Sequence, residues 1–227
     1  NTVPIGSITN NRVVKESLSQ PGVLAFVSQW LPFARDISFS YPEDPFWKAD
    51  RFVVSCLVRY AEKKNKRLMI IPRHYKDGEL CAMEKAYFRG LLGSEPEYLK
   101  TDGLFSGYQA VDSADVVVSI GSTLGYESIA RGNKTAHFSI RDIMEGVKGF
   151  NFGWPGNFPD EGLFWTNNPD ADSFVRILDY LFEIDDEQWR KDIEEIKFPS
   201  VMVFDPGNAK LKYTLQKVLG SPAVFED

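Results

Sequence analysis

Residues 114–141, ADVVVSIGSTLGYESIARGNKTAHFSIR, constrain this chain more than any other stretch. A continuous apolar run, Asp115–Ile120, is too short for a helix and too uniformly apolar for a half-exposed strand, so it reads as a strand covered on both faces. It meets a small-residue turn, Gly121-Ser122-Thr123. A short helix is expected from there to Arg131, stopped by Gly132, and a second strand over Thr135–Ile140. A strand that hands over to a helix at small hydroxyl residues is a ready anion site, because free N–H groups and the positive end of the helix dipole face outward.

The flanking pattern repeats the theme. Val23–Val27 and Arg67–Ile71 are further strand candidates, with short ones at Tyr98-Leu99 and Phe164–Thr166. Helical spacing of apolar residues predicts helices over Phe46–Lys64, Cys81–Leu92, Leu104–Ser113, Ala171–Phe182, Glu187–Ile196 and Ala209–Leu219, the last after Asp205-Pro206. Prolines 32, 42 and 45 argue for a loop over Leu31–Pro45. Residues 145–162 hold five glycines, two prolines and several aromatics, which predicts a long ordered loop. Strands alternating with helices indicate an α/β fold: a doubly wound, Rossmann-like parallel sheet of about six strands with helices on both faces. The expected divisions are a lead-in at 1–20, a Rossmann-like domain at 21–204, and a C-terminal helix and tail at 205–227.

In such sheets ligands bind outside the carboxyl ends of the strands. That rule selects Gln29 after the first strand, Arg73 and His74 after the second, Gly121, Ser122 and Thr123 after the central one, and Arg141 beyond the next. Together they form an anion-plus-sugar inventory. Each has a bland reading. Ser122 and Thr123 can simply cap a helix, although Gly125 and Tyr126 break the capping box. Glu127 stands four residues before Arg131, the spacing of an ordinary helix ion pair, yet helical side chains tilt towards the N-terminus, which aims it at the turn. Arg73 and His74 can be a solvated loop, and Arg141 can pair with Asp142 or Glu145 at the surface. His137, inside a strand, reads as a core histidine, and Trp154 in the aromatic stretch as packing or, secondarily, a sugar platform.

Composition removes several classes. With 227 residues, 43% hydrophobic and 26% charged, the chain is ordinary globular material. A balance of 26 basic against 32 acidic residues gives −6 and no nucleic-acid footprint. Two histidines, and two cysteines (Cys56 and Cys81) on expected helices without metal spacing, predict buried free thiols and no metal site. No apolar run reaches membrane-spanning length, so a cytoplasmic location is expected. The lysines at 63–67 read as a solvated helix end, with peripheral contact to acidic lipid at the inner membrane face as the alternative.

The ordered set of a polar loop at Arg73-His74, then ADVVVSIGSTLGYE at Ala114–Glu127, then ARGNKT at Ala130–Thr135 resembles the C-terminal, donor-binding half of GT-B-type glycosyltransferases. It is similar to bacterial surface-carbohydrate biosynthesis proteins, and also to UDP-N-acetylglucosamine 2-epimerases and CDP-glycerol glycerophosphotransferases. The resemblance implies that Ser122 and Thr123 contact a donor diphosphate and that Glu127 contacts the ribose. It further implies no cofactor and no metal, in keeping with the lack of a D-x-D triplet. The partners would be a nucleotide-sugar donor and a glycan or lipid-linked acceptor held by an N-terminal half not present here. The alternatives are an epimerase or glycerophosphotransferase half-domain, or a non-catalytic nucleotide-sugar-binding or assembly module.

Overall fold

The computed structural model describes residues 3–15, 19–31, 48–76, 78–99, 106–146, 148–149, 151–154 and 156–219. Six parallel strands form one sheet: β1 (Gln20–Val27), β2 (Arg67–Ile71), β3 (Glu97–Tyr98), β4 (Ala114–Ser119), β5 (Thr135–Phe138) and β6 (Trp165–Thr166). Their spatial order is β3-β2-β1-β4-β5-β6. This is the doubly wound Rossmann order, and it reverses between β1 and β4. In sheets of this order, ligands generally bind outside the carboxyl ends of the strands at such a reversal.

The central strands are apolar on both faces because both faces are covered. Alternate side chains separate cleanly. Leu24, Phe26, Val116 and Val118 pack into one core with α2 (Lys48–Lys64), α3 (Glu79–Leu92) and α7 (Ala171–Glu183). Val23, Ala25, Val27 and Val117 pack into a second with Ala110 and Val111 of α4 (Ser106–Ser113) and Leu124 of α5 (Thr123–Ala130). The α7 apolar stripe Phe174, Ile177, Leu178 and Leu181 is wholly buried, as its i, i+3, i+4, i+7 spacing requires. Cys56 and Cys81 are buried free thiols.

Several expectations shift in detail. The strand from Thr135 stops at Phe138, and Arg141–Glu145 forms a short helix, α6, that the sequence reading did not anticipate. The third strand sits at Glu97–Tyr98 rather than 98–99. The helix expected at Glu187–Ile196 is α8 (Asp186–Glu195), and the C-terminal one is α9 (Ala209–Leu219). The expected loop at 31–45 lies, beyond Leu31, outside the described residues, as do Phe46, Leu104 and the tail beyond Leu219.

The lead-in is more than a linker. It contains the short helix α1 (Ile8–Asn11), and its asparagines lock onto the far end of the chain. Asn11 donates to Asn208 Oδ1 (3.0 Å) and accepts from the Asp205 N–H (2.8 Å). Asn208 in turn donates to the Ile8 carbonyl (3.2 Å). Two segments nearly 200 residues apart thus share one buried polar seam on the sheet domain.

Candidate functional site

Because all six strands are parallel, the residues selected from sequence at four strand ends lie on one edge of the sheet. Gln29 and the 121–123 turn flank the reversal point, Arg73 and His74 sit one strand out, and Arg141 opens α6 beyond β5.

The central turn is built from the inside. Ser119, the last residue of β4, accepts the Ser122 N–H on its hydroxyl (3.1 Å), and Ser122 caps α5 by accepting the Leu124 N–H (3.2 Å). Capping is therefore real. It occupies the oxygen as an acceptor and leaves the hydroxyl proton available to a ligand. Thr123 is exposed at the first helical position. The helix can start this close to the strand only because residue 125 is glycine: a Cβ there would lie 2.5 Å from both the Cβ and the Oγ of Ser119. That close approach is what brings the positive end of α5 to the sheet edge.

Glu127 lies one turn further in and is 8% exposed. Its expected pairing with Arg131 does not form. The Arg131 guanidinium is fully buried against Asp112, with Nε 2.9 Å from Oδ1, and also donates to Asn10 Oδ1 (3.0 Å) and the Val13 carbonyl (3.0 Å). The Phe204 ring covers it at 4.7 Å. Among the described residues the hydrogen bond to Glu127 comes from the Tyr108 hydroxyl, at a long 3.3 Å. Burial and the Glu127 charge together raise the Tyr108 phenol pKa, so it stays protonated and donating.

The second strand end is organised by a residue the sequence reading missed. Glu84 of α3, 1% exposed, accepts the Ser28 hydroxyl and the backbone N–H groups of Arg73 (2.9 Å) and His74 (2.8 Å). The loop amides there are consumed internally, so any anion binding at this strand end falls to side chains. The Arg73 side chain is exposed. The His74 ring meets Trp30 edge-on at 5.6 Å, and its Nε2 is buried without a hydrogen-bond partner; Gln29 Oε1 is in the same condition. A signal for Glu84 was present: Cys81, Glu84 and Phe88 share one helical face, and a carboxylate on an apolar stripe needs a partner.

Arg141 is placed differently from the other candidates. It is 8% exposed, with NH2 2.6 Å from Asp50 and NH1 2.8 Å from Glu145. The Glu145 pairing is the i,i+4 one considered from sequence, but it is buried rather than superficial. Asp50 also accepts the Tyr87 hydroxyl (2.8 Å), and Glu145 accepts the Ala49 N–H (3.0 Å) at the start of α2. The Arg141 charge is thus met by two carboxylates and ties α6 to α2. His137 is a core histidine as expected. It is fully buried, with Nδ1 2.9 Å from Ser139 Oγ, and the Tyr126 and Phe152 rings lie 4.4 and 5.4 Å away. Burial pushes its pKa down to about 3, so the ring is neutral.

Among the described residues no cluster of three or more His, Cys, Asp or Glu is arranged to hold a metal ion. No helix there is long and apolar enough to cross a membrane.

Comparison with known proteins adds three findings. No curated protein matches the chain. Among solved structures, UDP-GlcNAc 2-epimerase from Neisseria meningitidis bound to UDP-GlcNAc is similar, at 12% identity and a TM-score of 0.48. That match covers 89% of this chain and 45% of the other, so the present chain spans about half of that structure's length. A family model, Lept_O_ant_chp1, described as "putative O-antigen biosynthesis protein", matches residues 1–219. The chain belongs to that O-antigen biosynthesis family, and its place is in the making of surface polysaccharide.

Proposed function

We propose that this chain is the donor-binding domain of a glycosyltransferase, holding a nucleotide-sugar at the reversal point between β1 and β4. The single observation that carries the reading is Glu127. It is a nearly buried carboxylate one turn behind a helix N-terminus, and among the described residues it receives one long hydrogen bond. A buried carboxylate ordinarily collects several donors, since burying a charge without them is costly. A ribose offers two adjacent hydroxyls, which would complete its shell.

In this reading the diphosphate sits at the α5 start, against the Ser122 and Thr123 hydroxyls and the helix dipole. Arg73 adds an unburied positive charge one strand away. These groups stabilise the negative charge that grows on the leaving phosphate as the glycosidic bond breaks, without a covalent protein intermediate. Arg141 takes no part, because its charge is already balanced. The acceptor and any catalytic base come from a second domain.

Calorimetric titration with UDP, GDP, CDP, CMP and their sugar esters tests the reading. Binding of at least one of them that weakens in Glu127→Gln supports it. The absence of binding by all of them would sink it.

A further inference from the structure

Trp154 is 65% exposed, yet the residues just before it are tied into the core. On one side Phe152 is fully buried, stacked on Trp165 at 4.6 Å and on Tyr126 at 5.7 Å, with its N–H donating to Asn167 Oδ1 (2.9 Å). Next to it the Gly153 N–H donates to the Tyr126 hydroxyl (2.9 Å). The Trp154 N–H and the Gly156 N–H close two successive tight turns, at 3.1 and 2.7 Å. Gly153 itself has φ +74°, and a Cβ on it would collide with the Phe158 ring at 2.2 Å. The backbone from Phe152 to Trp154 is therefore held in place while the indole itself stays in water.

Scattered exposed apolar residues need no explanation. An indole is different, because it is the largest apolar side chain and any small polar residue would suit a solvent-facing turn better. Its location adds a second reason. Tyr126 stands four residues after Ser122 on α5, and side chains tilt towards a helix N-terminus. The hydrogen bond from Gly153 to the Tyr126 hydroxyl thus moors the Trp154 turn beside the start of α5, at the same sheet edge as the candidate anion site.

We infer that Trp154 is the stacking platform for the pyranose ring of the nucleotide-sugar, a role that rests on the donor reading of the α5 turn. The apolar C–H face of a sugar lies against the indole, while the diphosphate sits at the helix start. A rigid aromatic costs little ordering entropy on binding, which is the advantage of fixing it beforehand.

The test is a paired titration of the whole chain with UDP and UDP-glucose, GDP and GDP-mannose, and CDP and CDP-glucose. Trp154→Ala, being a solvent-facing change, is expected to fold normally. It should lower affinity for the cognate nucleotide-sugar about tenfold and leave the matching nucleoside diphosphate unchanged, with Trp154→Phe in between. Equal loss for both ligands, or nucleotide-sugar affinity within twofold of the parent, overturns the platform while leaving the donor site standing. If the parent binds none of the six and neither CMP nor its sugar ester, the donor reading fails and the platform falls with it.

Discussion

Glu127 in the middle of α5 and Arg131 at its C-cap are oppositely charged buried residues four positions apart, and the protein treats them in opposite ways. Arg131 is saturated: a carboxylate, an asparagine oxygen and a backbone carbonyl surround it, and an aromatic ring closes the top. Glu127, nearer the helix start, receives one long hydrogen bond among the described residues. The simple arrangement would pair them with each other. Instead Arg131 is drawn to Asp112 and the lead-in segment, which leaves Glu127 short of donors. Glu84, the same residue type and more deeply buried at 1% exposure against 8%, gathers three donors, so the shortage is not a general habit of this chain. A saturated buried charge holds elements together, whereas the unsaturated one beside the helix start is, in the function proposed above, the one that meets the ligand.

The largest expected effect breaks the saturated end. Arg131→Met leaves Asp112 buried without its counter-charge and frees the lead-in from α5, which should cost about 3 to 5 kcal/mol of unfolding free energy. Urea denaturation reads it directly, and a loss under 1 kcal/mol would mean the cluster is decorative. Glu84→Ala comes next. It leaves two partly buried backbone N–H groups and a buried hydroxyl without their acceptor, at about 3 kcal/mol in the same assay.

The unsaturated end should respond in the other currency. Glu127→Gln removes a charge that no cation among the described residues pairs with, so stability should move by less than about 0.5 kcal/mol, within the range of neutral substitutions. Affinity for the cognate nucleotide should fall roughly tenfold to a hundredfold, the loss expected for hydrogen bonds to a charged group. A stability loss as large as that of Glu84→Ala, with unchanged affinity, would erase the distinction between the two carboxylates.

Much of the fold could be read from sequence because it depends on local pattern. The uninterrupted apolar runs at Val23–Val27 and Val116–Val118 required cover on both faces, and two cores supply it. The α5 turn was visible for the same reason, as Gly125 and the hydroxyls beside it are short-range requirements. Partner choice was not visible. Nothing near Arg131 in the chain distinguishes Glu127 from Asp112, nineteen residues back, because the decision is made by how α4 packs on α5 and by a lead-in segment that arrives from the far end of the chain. Arg141 escaped for a like reason. Its partner Asp50 lies 91 residues away on α2, and the short helix that buries the pair has no periodic signal of its own. Asp50 could have been suspected, since it shares the buried face of Val53, Val54 and Leu57.

His137 offers the smallest effect and the finest control on the comparison, because it is a buried titratable group that takes no charge at all. Its folded pKa lies near 3, against about 6.5 in the unfolded chain. The sign follows from proton uptake: between these values the unfolded state binds a proton that the folded state refuses. Its contribution is therefore complete above pH 6.5 and drains away as pH falls towards 3, with a limiting slope of about 1.4 kcal/mol per pH unit. His137→Phe keeps a ring against Tyr126 and Phe152 and removes the Nε2 that has no partner. Unfolding free energies from urea denaturation at pH 7.5 to 5.0 should then fall less steeply in the variant than in the parent, by about 1 kcal/mol for each pH unit below 6. Equal slopes would mean that the buried, neutral His137 is not what makes the fold sensitive to acid.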